Sequence, residues 1–247
     1  MTKAEIQQLR ALKDKRTRDE ERVFIAEGDK LVDEILASEF VVRKVYTTDE
    51  RRSGVNIKHI TKQEMERISQ LTTPTTTLAV VEQPAYKLST SHLRGKLTLA
   101  LDGVQNPGNM GTIVRLADWF GVEDIICSRE CADCYNPKVV QATMGAILRV
   151  RIHYVDDLAK MLGEAKDIGL GIYGTLLDGK NIYNDDSLTQ EGIIVMGNEG
   201  RGVSAECRNK LTHKLLIPPY PADSPTSESL NVAMATGIIL SEFRRRG

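Results

Sequence analysis

The sequence predicts an α/β protein of two domains, with a mostly parallel sheet in the second domain. From Leu97 onward, short apolar runs alternate with stretches whose apolar residues recur at helical spacing. This alternation is typical of a parallel sheet covered on both faces by helices. A polar stretch without periodicity, Gln83–Lys96, separates this region from a smaller α/β segment in front of it. We therefore place the domains at residues 1–90 and 91–247.

The composition is that of an ordinary globular protein. The chain has 247 residues, of which 41% are hydrophobic and 27% charged, enough for two modest cores. It contains no apolar run near the roughly 20 residues that a membrane-spanning helix needs, and its first residues lack an apolar signal core. We expect a cytoplasmic protein with no membrane part.

The charge is distributed unevenly along the chain. The net charge is -1, but residues 1–96 hold 18 basic against 15 acidic residues and the remainder holds 15 against 19. This asymmetry favours binding of a polyanion by the first part of the chain. The alternative is that these charges belong to ordinary solvated helix faces.

Periodicity predicts seven elements in the first domain. They are a helix at Ala4–Lys15, a strand at Arg22–Ala26, a helix at Glu27–Ser38, strands at Val41–Thr47 and Ile57–Ile60, a helix at Lys62–Leu71 and a strand at Leu78–Glu82.

The second domain is predicted to alternate six strands with five helices. The strands are Leu97–Leu101, Asp124–Cys127, Val150–Tyr154, Leu170–Thr175, Gly192–Met196 and Lys214–Ile217. The helices are Thr112–Phe120, Pro137–Ile147, Asp156–Asp167, Val203–Leu211 and Leu230–Arg244.

A glycine- and asparagine-rich loop follows the first strand of the second domain. Residues 102–111 contain three glycines, one proline and two asparagines, and a loop between a strand and a helix is where α/β proteins expose backbone N–H groups to ligands. We place Asn109 just before the helix and Arg115 within about its first turn. Taken alone, Arg115 points either to solvent or to an anion.

Two further loops have the same character. Gly197–Gly202 follows a buried strand, and its glycines allow close approach of the backbone to a ligand. Glu199 in this loop could equally be a carboxylate that interacts with a helix dipole. Before the last helix, Ser229 is a natural N-cap, and Asn231 either completes the cap or serves a ligand.

The cysteines and histidines indicate no metal or hydrolase site. Cys131 and Cys134 have C-x-x-C spacing, but no second cysteine or histidine pair follows at a suitable distance, and Cys127 and Cys207 could contribute only if the fold brought them close. No metal is expected. No histidine lies in a ligand pair or beside a nucleophile, so a histidine-based hydrolase is not indicated.

Together, the three loops resemble the three motifs of the SpoU (TrmH-type) RNA 2′-O-ribose methyltransferases, a branch of the SPOUT superfamily. Asn109 to Arg115 matches N-x-G-x-x-x-R, and the segment around Gly197 and Glu199 matches G-x-E-x-x-G. Ile217-Pro218 followed by 229–232 matches I-P…S-L-N-V. The first segment also resembles the ribosomal-protein-like RNA-binding domain that often precedes this fold. One departure is the loop 218–228, which is longer than usual and rich in proline and serine.

The resemblance implies an α/β trefoil-knot domain, a homodimer formed through it, and S-adenosylmethionine as the cofactor. It implies that the cofactor pocket is lined by residues at three strand ends: Thr175, Leu176, Met196, Gly197, Ile217 and Leu230.

The resemblance also implies a catalytic cluster, which comprises Asn109, Arg115, Glu199, Ser229 and Asn231. Family mechanisms assign proton removal from the ribose hydroxyl to the arginine that matches Arg115. A guanidinium is effectively always protonated, so we expect Arg115 to bind the phosphate next to the target ribose. Asn109 and Asn231 would orient Arg115 and the hydroxyl, and Glu199 would fix the loop or the arginine.

The leading hypothesis is therefore methyl transfer to a ribose 2′-hydroxyl of structured RNA, with ribosomal RNA favoured over transfer RNA because of the extra N-terminal domain. The alternative is a non-catalytic RNA-binding or ribosome-assembly protein that keeps the fold. A dinucleotide-dependent oxidoreductase is disfavoured because the glycine spacing differs from the dinucleotide fingerprint.

Overall fold

The computed structural model describes residues 1–221, 227 and 229–246. The chain divides into two compact units. Unit 1 comprises Met1–Ala85 and Asp133–Leu148, and unit 2 comprises Tyr86–Ala132 and Arg149–Gly247. The boundary after Ala85 falls inside the predicted linker, but the return of residues 133–148 to unit 1 was not predicted. In the described part of the chain, no helix is long and apolar enough to cross a membrane.

The elements follow one another as a mixture of helices and short strands. The helices are α1 (Lys3–Ala11), α2 (Lys15–Glu21), α3 (Asp29–Leu36), α4 (Lys62–Ile68), α5 (Pro107–Trp119), α6 (Pro137–Thr143), α7 (Leu158–Asp167), α8 (Ala205–Arg208) and α9 (Val232–Arg245). The strands are β1 (Val23–Glu27), β2 (Val42–Thr47), β3 (Ile57–His59), β4 (Thr77–Glu82), β5 (Leu97–Asp102), β6 (Asp124–Ser128), β7 (Arg151–Val155), β8 (Ile172–Asn181), β9 (Gly192–Gly197) and β10 (His213–Leu216).

Unit 1 is a four-stranded sheet between two layers of helices. The strand order is β1-β4-β2-β3, with β4 antiparallel to both of its neighbours and β3 parallel to β2. Successive residues of β1 point to opposite faces: Ile25 packs in a core with Leu9 of α1 and Met65 of α4, and Phe24 packs in a second core with Val32 of α3. Both faces are therefore buried, which is why β1 reads as a continuous apolar run.

Residues 133–148 complete the second of these cores. Val140 of α6 and Ile147 belong to the same cluster as Phe24, and the Tyr135 ring stacks on Phe24 with 4.9 Å between centroids. Buried Arg18 forms an ion pair with Asp133. The sequence predicts this helix as part of the second domain. Its spacing indicates an apolar face, but it does not indicate the core against which that face packs.

Two helix predictions in unit 1 need correction for reasons of capping. The predicted helix 4–15 ends at Ala11, and Asp14 then caps a separate helix α2, accepting a hydrogen bond from Arg16 N. The predicted helix 137–147 ends at Thr143, because Met144 and Gly145 both have positive φ (52° and 89°), the left-handed conformation that terminates helices.

Unit 2 is a six-stranded sheet of order β10-β8-β9-β5-β6-β7 in which every neighbouring pair is parallel. This confirms the predicted parallel sheet, and all six predicted strands are present. Its core includes Ala100, Ile126, Leu162, Ile172 and Val195. Because the strands are parallel, the loops after β5, β9 and β10 emerge at one edge of the sheet.

Four helices of unit 2 begin at other residues than predicted. Helix α7 begins at Leu158, two residues after the predicted Asp156. Asn106 caps α5, and Pro107 occupies the first turn, so the helix starts five residues before the predicted Thr112. The N-cap of α9 is Asn231 and not Ser229. The predicted helix 203–211 is reduced to the four residues of α8.

Candidate active site

Glu199 joins the loop after β9 to the start of α5. Its carboxylate accepts hydrogen bonds from Gln105 N (3.3 Å), Asn106 N (3.1 Å) and Asn109 Nδ2 (3.0 Å). Asn109 is the third residue of α5 and not a residue in front of it. The carboxylate thus lies at a helix N-terminus, where both the free N–H groups and the helix dipole stabilise a negative charge.

Asn109 also binds the start of α9. Asn231 Nδ2 donates to Asn109 Oδ1 over 3.0 Å, while Asn231 Oδ1 accepts from Ala233 N and Met234 N as the cap of α9. Asn109 therefore joins Glu199, 90 residues away in sequence, and Asn231, 122 residues away, in one hydrogen-bonded chain.

Two opposing effects act on the pKa of the Glu199 carboxyl. Burial raises it, but the hydrogen bonds from Asn109 and from the backbone N–H groups outweigh burial, so the pKa lies below its ordinary value of 4.5. Glu199 is therefore a carboxylate at neutral pH and acts as a fixed acceptor.

The glycine loop after β9 is fixed by two residues that the sequence analysis did not select. Asn198 donates from Nδ2 to Gly103 O (2.7 Å) and accepts from Gly200 N and Arg201 N at Oδ1. Asp102, at the end of β5, accepts from Ser204 N at 2.7 Å. The sequence signal for Asn198 is an asparagine within a glycine-rich loop, because an asparagine side chain can form hydrogen bonds with backbone groups of a tight turn.

Close backbone packing explains the first glycine of that loop. Gly197 is the last residue of β9, and a Cβ atom there would overlap the backbone of Gly202 and Val203. The loop thus folds back onto its own strand, which requires glycine at this position.

Arg115 and Ser229 lie outside the hydrogen-bonded chain that the described residues form. Arg115 is the ninth residue of α5, in its third turn and not its first, and is exposed. In the described part of the chain it forms no ion pair. Ser229 is exposed two residues before Asn231. Of the five residues predicted to be catalytic, the structure brings three into direct contact.

Of the residues predicted to line a cofactor pocket, Thr175 in the middle of β8 lies beside the end of β9. Thr175 Oγ1 lies 3.4 Å from Val195 O and 3.9 Å from Met196 Sδ. Leu176 and Met196 are buried, Ile217 directly follows β10 and is half-buried, and Leu230 is 50% exposed. Residues 222–226 and 228 of the long proline- and serine-rich loop lie outside the described residues.

The strand register of β8 is interrupted near this edge. β10 pairs with β8 at Gly174 and then again at Lys180, and β9 pairs with β8 only up to Gly174. The register of these pairs therefore skips residues 175–179, although Gly179 still packs against the backbone of Leu215. Leu177, in the middle of this excursion, is 74% exposed. An irregular strand segment with apolar side chains suits a small organic ligand.

The four cysteines are buried and are not joined by disulfides, and no group of three or more metal-ligating side chains occurs among the described residues. A side-chain hydrogen bond with Cys127 lowers the pKa of the Cys131 thiol to about 7. Cys131 Sγ donates to Leu101 O at 3.1 Å, which places the thiol in the packing below the first loop.

Comparison with known families decides the assignment. The model of the SpoU rRNA Methylase family matches residues 96–241. The chain belongs to this family. The model of an MRM3-like substrate binding domain matches residues 3–79, so the two matches cover most of unit 2 and the N-terminal part of unit 1.

Individual relatives of the SpoU family extend this likeness over the whole chain. The 23S rRNA (guanosine(2553)-2′-O)-methyltransferase RlmP of Bacillus subtilis (strain 168) is 30% identical over 236 residues, 93% of this chain and 92% of the relative. The AdoMet-bound rRNA methyltransferase from Sinorhizobium meliloti superposes with a TM-score of 0.87 at 29% identity and covers 99% of this chain and 95% of that one. AviRb from Streptomyces viridochromogenes, a SpoU methyltransferase in complex with AdoMet, superposes with a TM-score of 0.84 at 25% identity. The match covers 99% of this chain and 98% of AviRb.

Proposed function

We propose that the protein transfers a methyl group from S-adenosylmethionine to a ribose 2′-hydroxyl of ribosomal RNA. Family membership and a full-length relative named as a 23S rRNA 2′-O-methyltransferase support this reaction. The observation that carries the proposal is the hydrogen-bonded chain from Asn231 through Asn109 to Glu199, because it joins residues of all three motif loops at one edge of the parallel sheet.

The irregular part of β8 and the ends of β9 and β10 fit S-adenosylmethionine. Residues 175–179 of β8, where the strand register is interrupted, include buried Leu176 and exposed Leu177, and Met196 lies beside Thr175. Gly197, Ile217, Leu230 and Thr175 complete the proposed set. When bound, the cofactor supplies an electrophilic methyl group on a sulfonium.

The protein's own residues position the ribose. A hydroxyl must attack in line with the bond that breaks, so orientation contributes more than stabilisation of a new charge. Asn109 is held on both sides, by Glu199 and Asn231, and is therefore a fixed amide. Arg115 is exposed on the same helix, and its guanidinium is proposed to bind the phosphate beside the target ribose.

We propose a homodimer formed through unit 2, with the trefoil knot of the family at its C-terminal strands. Trp119, the last residue of α5, is 82% exposed and Met234 in the first turn of α9 is 63% exposed. Large apolar side chains this exposed on two helices that pack together are suited to a subunit interface. Light scattering of the purified protein should give the mass of two chains. Since the proposed substrate is ribosomal RNA, the proposed place of action is the cytoplasm.

Transfer of a labelled methyl group tests the reaction. The purified protein is incubated with S-adenosylmethionine labelled in its methyl group and an unmodified transcript of 23S rRNA, and the digested RNA is separated by chromatography. We expect the label in a 2′-O-methylated nucleoside. Label in a methylated base would contradict the proposed acceptor. Absence of both transfer and S-adenosylmethionine binding would favour the non-catalytic alternative, an RNA-binding or ribosome-assembly protein.

A further inference from the structure

A groove on the surface of unit 1 lies between α1 and α4. It encloses about 360 Å³ and is lined by Lys3, Ile6, Gln7, Arg10 and Arg67. The first four lie at positions i, i+3, i+4 and i+7, so they share one face of α1. Three of the five lining residues are cations.

The two helices that form the groove are held by matching contacts. Each begins with a capping box, Thr2 with Glu5 in α1 and Thr61 with Glu64 in α4. The ammonium group of Met1 pairs with Glu64 of the other helix. Both helices also bury residues in the same core. The groove is therefore a preformed feature of unit 1, and a ligand would not have to order it.

Two carboxylates of these helices, Glu5 of α1 and Glu64 of α4, are already engaged. Lys58 donates to both oxygens of Glu5 (2.7 and 2.8 Å), which lowers the pKa of Glu5 to about 2. The Met1 ammonium likewise lowers the pKa of Glu64 to about 2. Both groups stay ionised, but each has its own cation.

The groove cations, in contrast, have no such partner. Within the described part of the chain, Lys3, Arg10 and Arg67 form no ion pair. Eight other cationic side chains of unit 1 do pair with carboxylates: Lys15, Arg16, Arg18, Arg43, Lys44, Arg51, Arg52 and Lys58. The groove thus keeps a local positive charge despite the chain's net charge of -1.

We infer that this groove binds the phosphodiester backbone of the RNA substrate. The inference rests on the proposed function and adds to it a surface remote in sequence from the three motif loops. Lys3 and Arg10 are seven residues apart, about 10 Å along the helix, so the cations form a row that suits successive phosphates better than one small anion. The planar guanidinium groups of Arg10 and Arg67 can each bind a phosphate through two N–H groups, and the Gln7 amide can donate a further hydrogen bond.

Charge removal with a matched control tests the groove. The triple variant K3Q/R10Q/R67Q is compared with K13Q/K30Q/K62Q, which removes three exposed lysines of unit 1 that do not line the groove. Filter binding measures the affinity of each protein for an unmodified 23S rRNA transcript, without S-adenosylmethionine, over a range of KCl concentrations.

The groove variant should lose affinity and salt dependence together. Each phosphate contact contributes about 0.7 to the slope of log affinity against log salt, so loss of three contacts should make this slope shallower by about 2. Binding should weaken on the order of 10- to 100-fold at 0.1 M salt. The control should stay within about threefold of the wild type, and R10K/R67K, which keeps the charges, should retain most of the affinity. Equal losses in groove and control variants would overturn the inference.

A second measurement uses the wild-type protein and does not depend on how the variants fold. Lysine acetylation with and without the transcript should show protection of Lys3 but not of Lys13 or Lys30. Equal labelling of Lys3 in both samples would overturn the inference. RNA binding is measured here without the cofactor, so failure of methyl transfer would reject the proposed reaction and leave this result standing.

Discussion

Asn231 donates a hydrogen bond of 3.0 Å to Asn109 across 122 residues of sequence. Each amide uses both of its ends: Asn109 donates onward to Glu199, and Asn231 caps α9 through its oxygen. Since a reversed amide would lose bonds on both sides, the network fixes the orientation of both groups. The contact ties the start of α5 to the start of α9 and thereby assembles the site from separate loops.

Two substitutions at Asn231 should separate its two roles. N231D keeps the cap acceptor but loses the donor to Asn109, so we expect a loss of about 1 kcal/mol in stability and of about tenfold or more in methyl transfer. N231A also loses the cap and should cost a further 1 kcal/mol or so. Urea unfolding and transfer assays measure the two effects. Full transfer by N231D would show that the Asn231–Asn109 bond has no part in the reaction.

The ionised state of Glu199 should make stability depend on pH. Its pKa is lower in the folded protein than the ordinary 4.5, so its stabilising contribution is complete above the unfolded pKa and is lost as pH falls through the folded pKa. The difference in unfolding free energy between wild type and E199Q should therefore be constant from pH 7 to about 5 and shrink below that. A difference that stays the same down to pH 3 would contradict this role.

Two glycines of one loop should respond differently to alanine. In G197A the new methyl group would overlap the backbone of Gly202 and Val203, so the loop must move, and we expect S-adenosylmethionine binding to be lost. G200A is the matched control, because its methyl would lie 3.7 Å from Asn198 Oδ1, an ordinary contact. Calorimetric titration with the cofactor compares them. Similar affinities for both variants would place the cofactor away from this loop.

Removing the Arg18–Asp133 ion pair tests whether residues 133–148 stabilise unit 1. Arg18 is 1% exposed and also donates to Leu12 O and Lys13 O. D133A would leave a buried cation without its carboxylate and should lower stability by about 3–5 kcal/mol. E20A, which removes the partner of the exposed Arg16, should change it by less than about 1 kcal/mol. Thermal unfolding of both variants gives the comparison, and equal small effects would contradict the account.

Local signals accounted for the strands of unit 2 and the order of its elements. Runs such as residues 192–196 are apolar on both faces and could only be buried strands of a covered sheet. The start of α5 was misplaced because the glycines of 108 and 111 suggest a loop, whereas Asn106 and Pro107 set the helix start through their capping geometry. A helix begins where a side chain reaches its free N–H groups, and packing decides which side chain does so.

Long-range contacts lay beyond sequence reasoning. The resemblance of three motifs placed Asn109, Glu199 and Asn231 in one cluster, and the structure shows the hydrogen bonds that join them. Nothing local indicated that Asn198 would reach Gly103, or that α6 would pack on Phe24. Both depend on where distant segments meet in the fold, which periodicity along one segment does not encode.

The most direct test of the central claim maps ribose methylation in cells. Ribosomal RNA from strains with and without the protein is hydrolysed with alkali, and resistant linkages are located to the nucleotide. We predict that a 23S rRNA position is protected only when the protein is present, and that the wild-type protein restores the protection while R115A does not. An unchanged pattern of resistant linkages in ribosomal RNA after deletion would contradict the account.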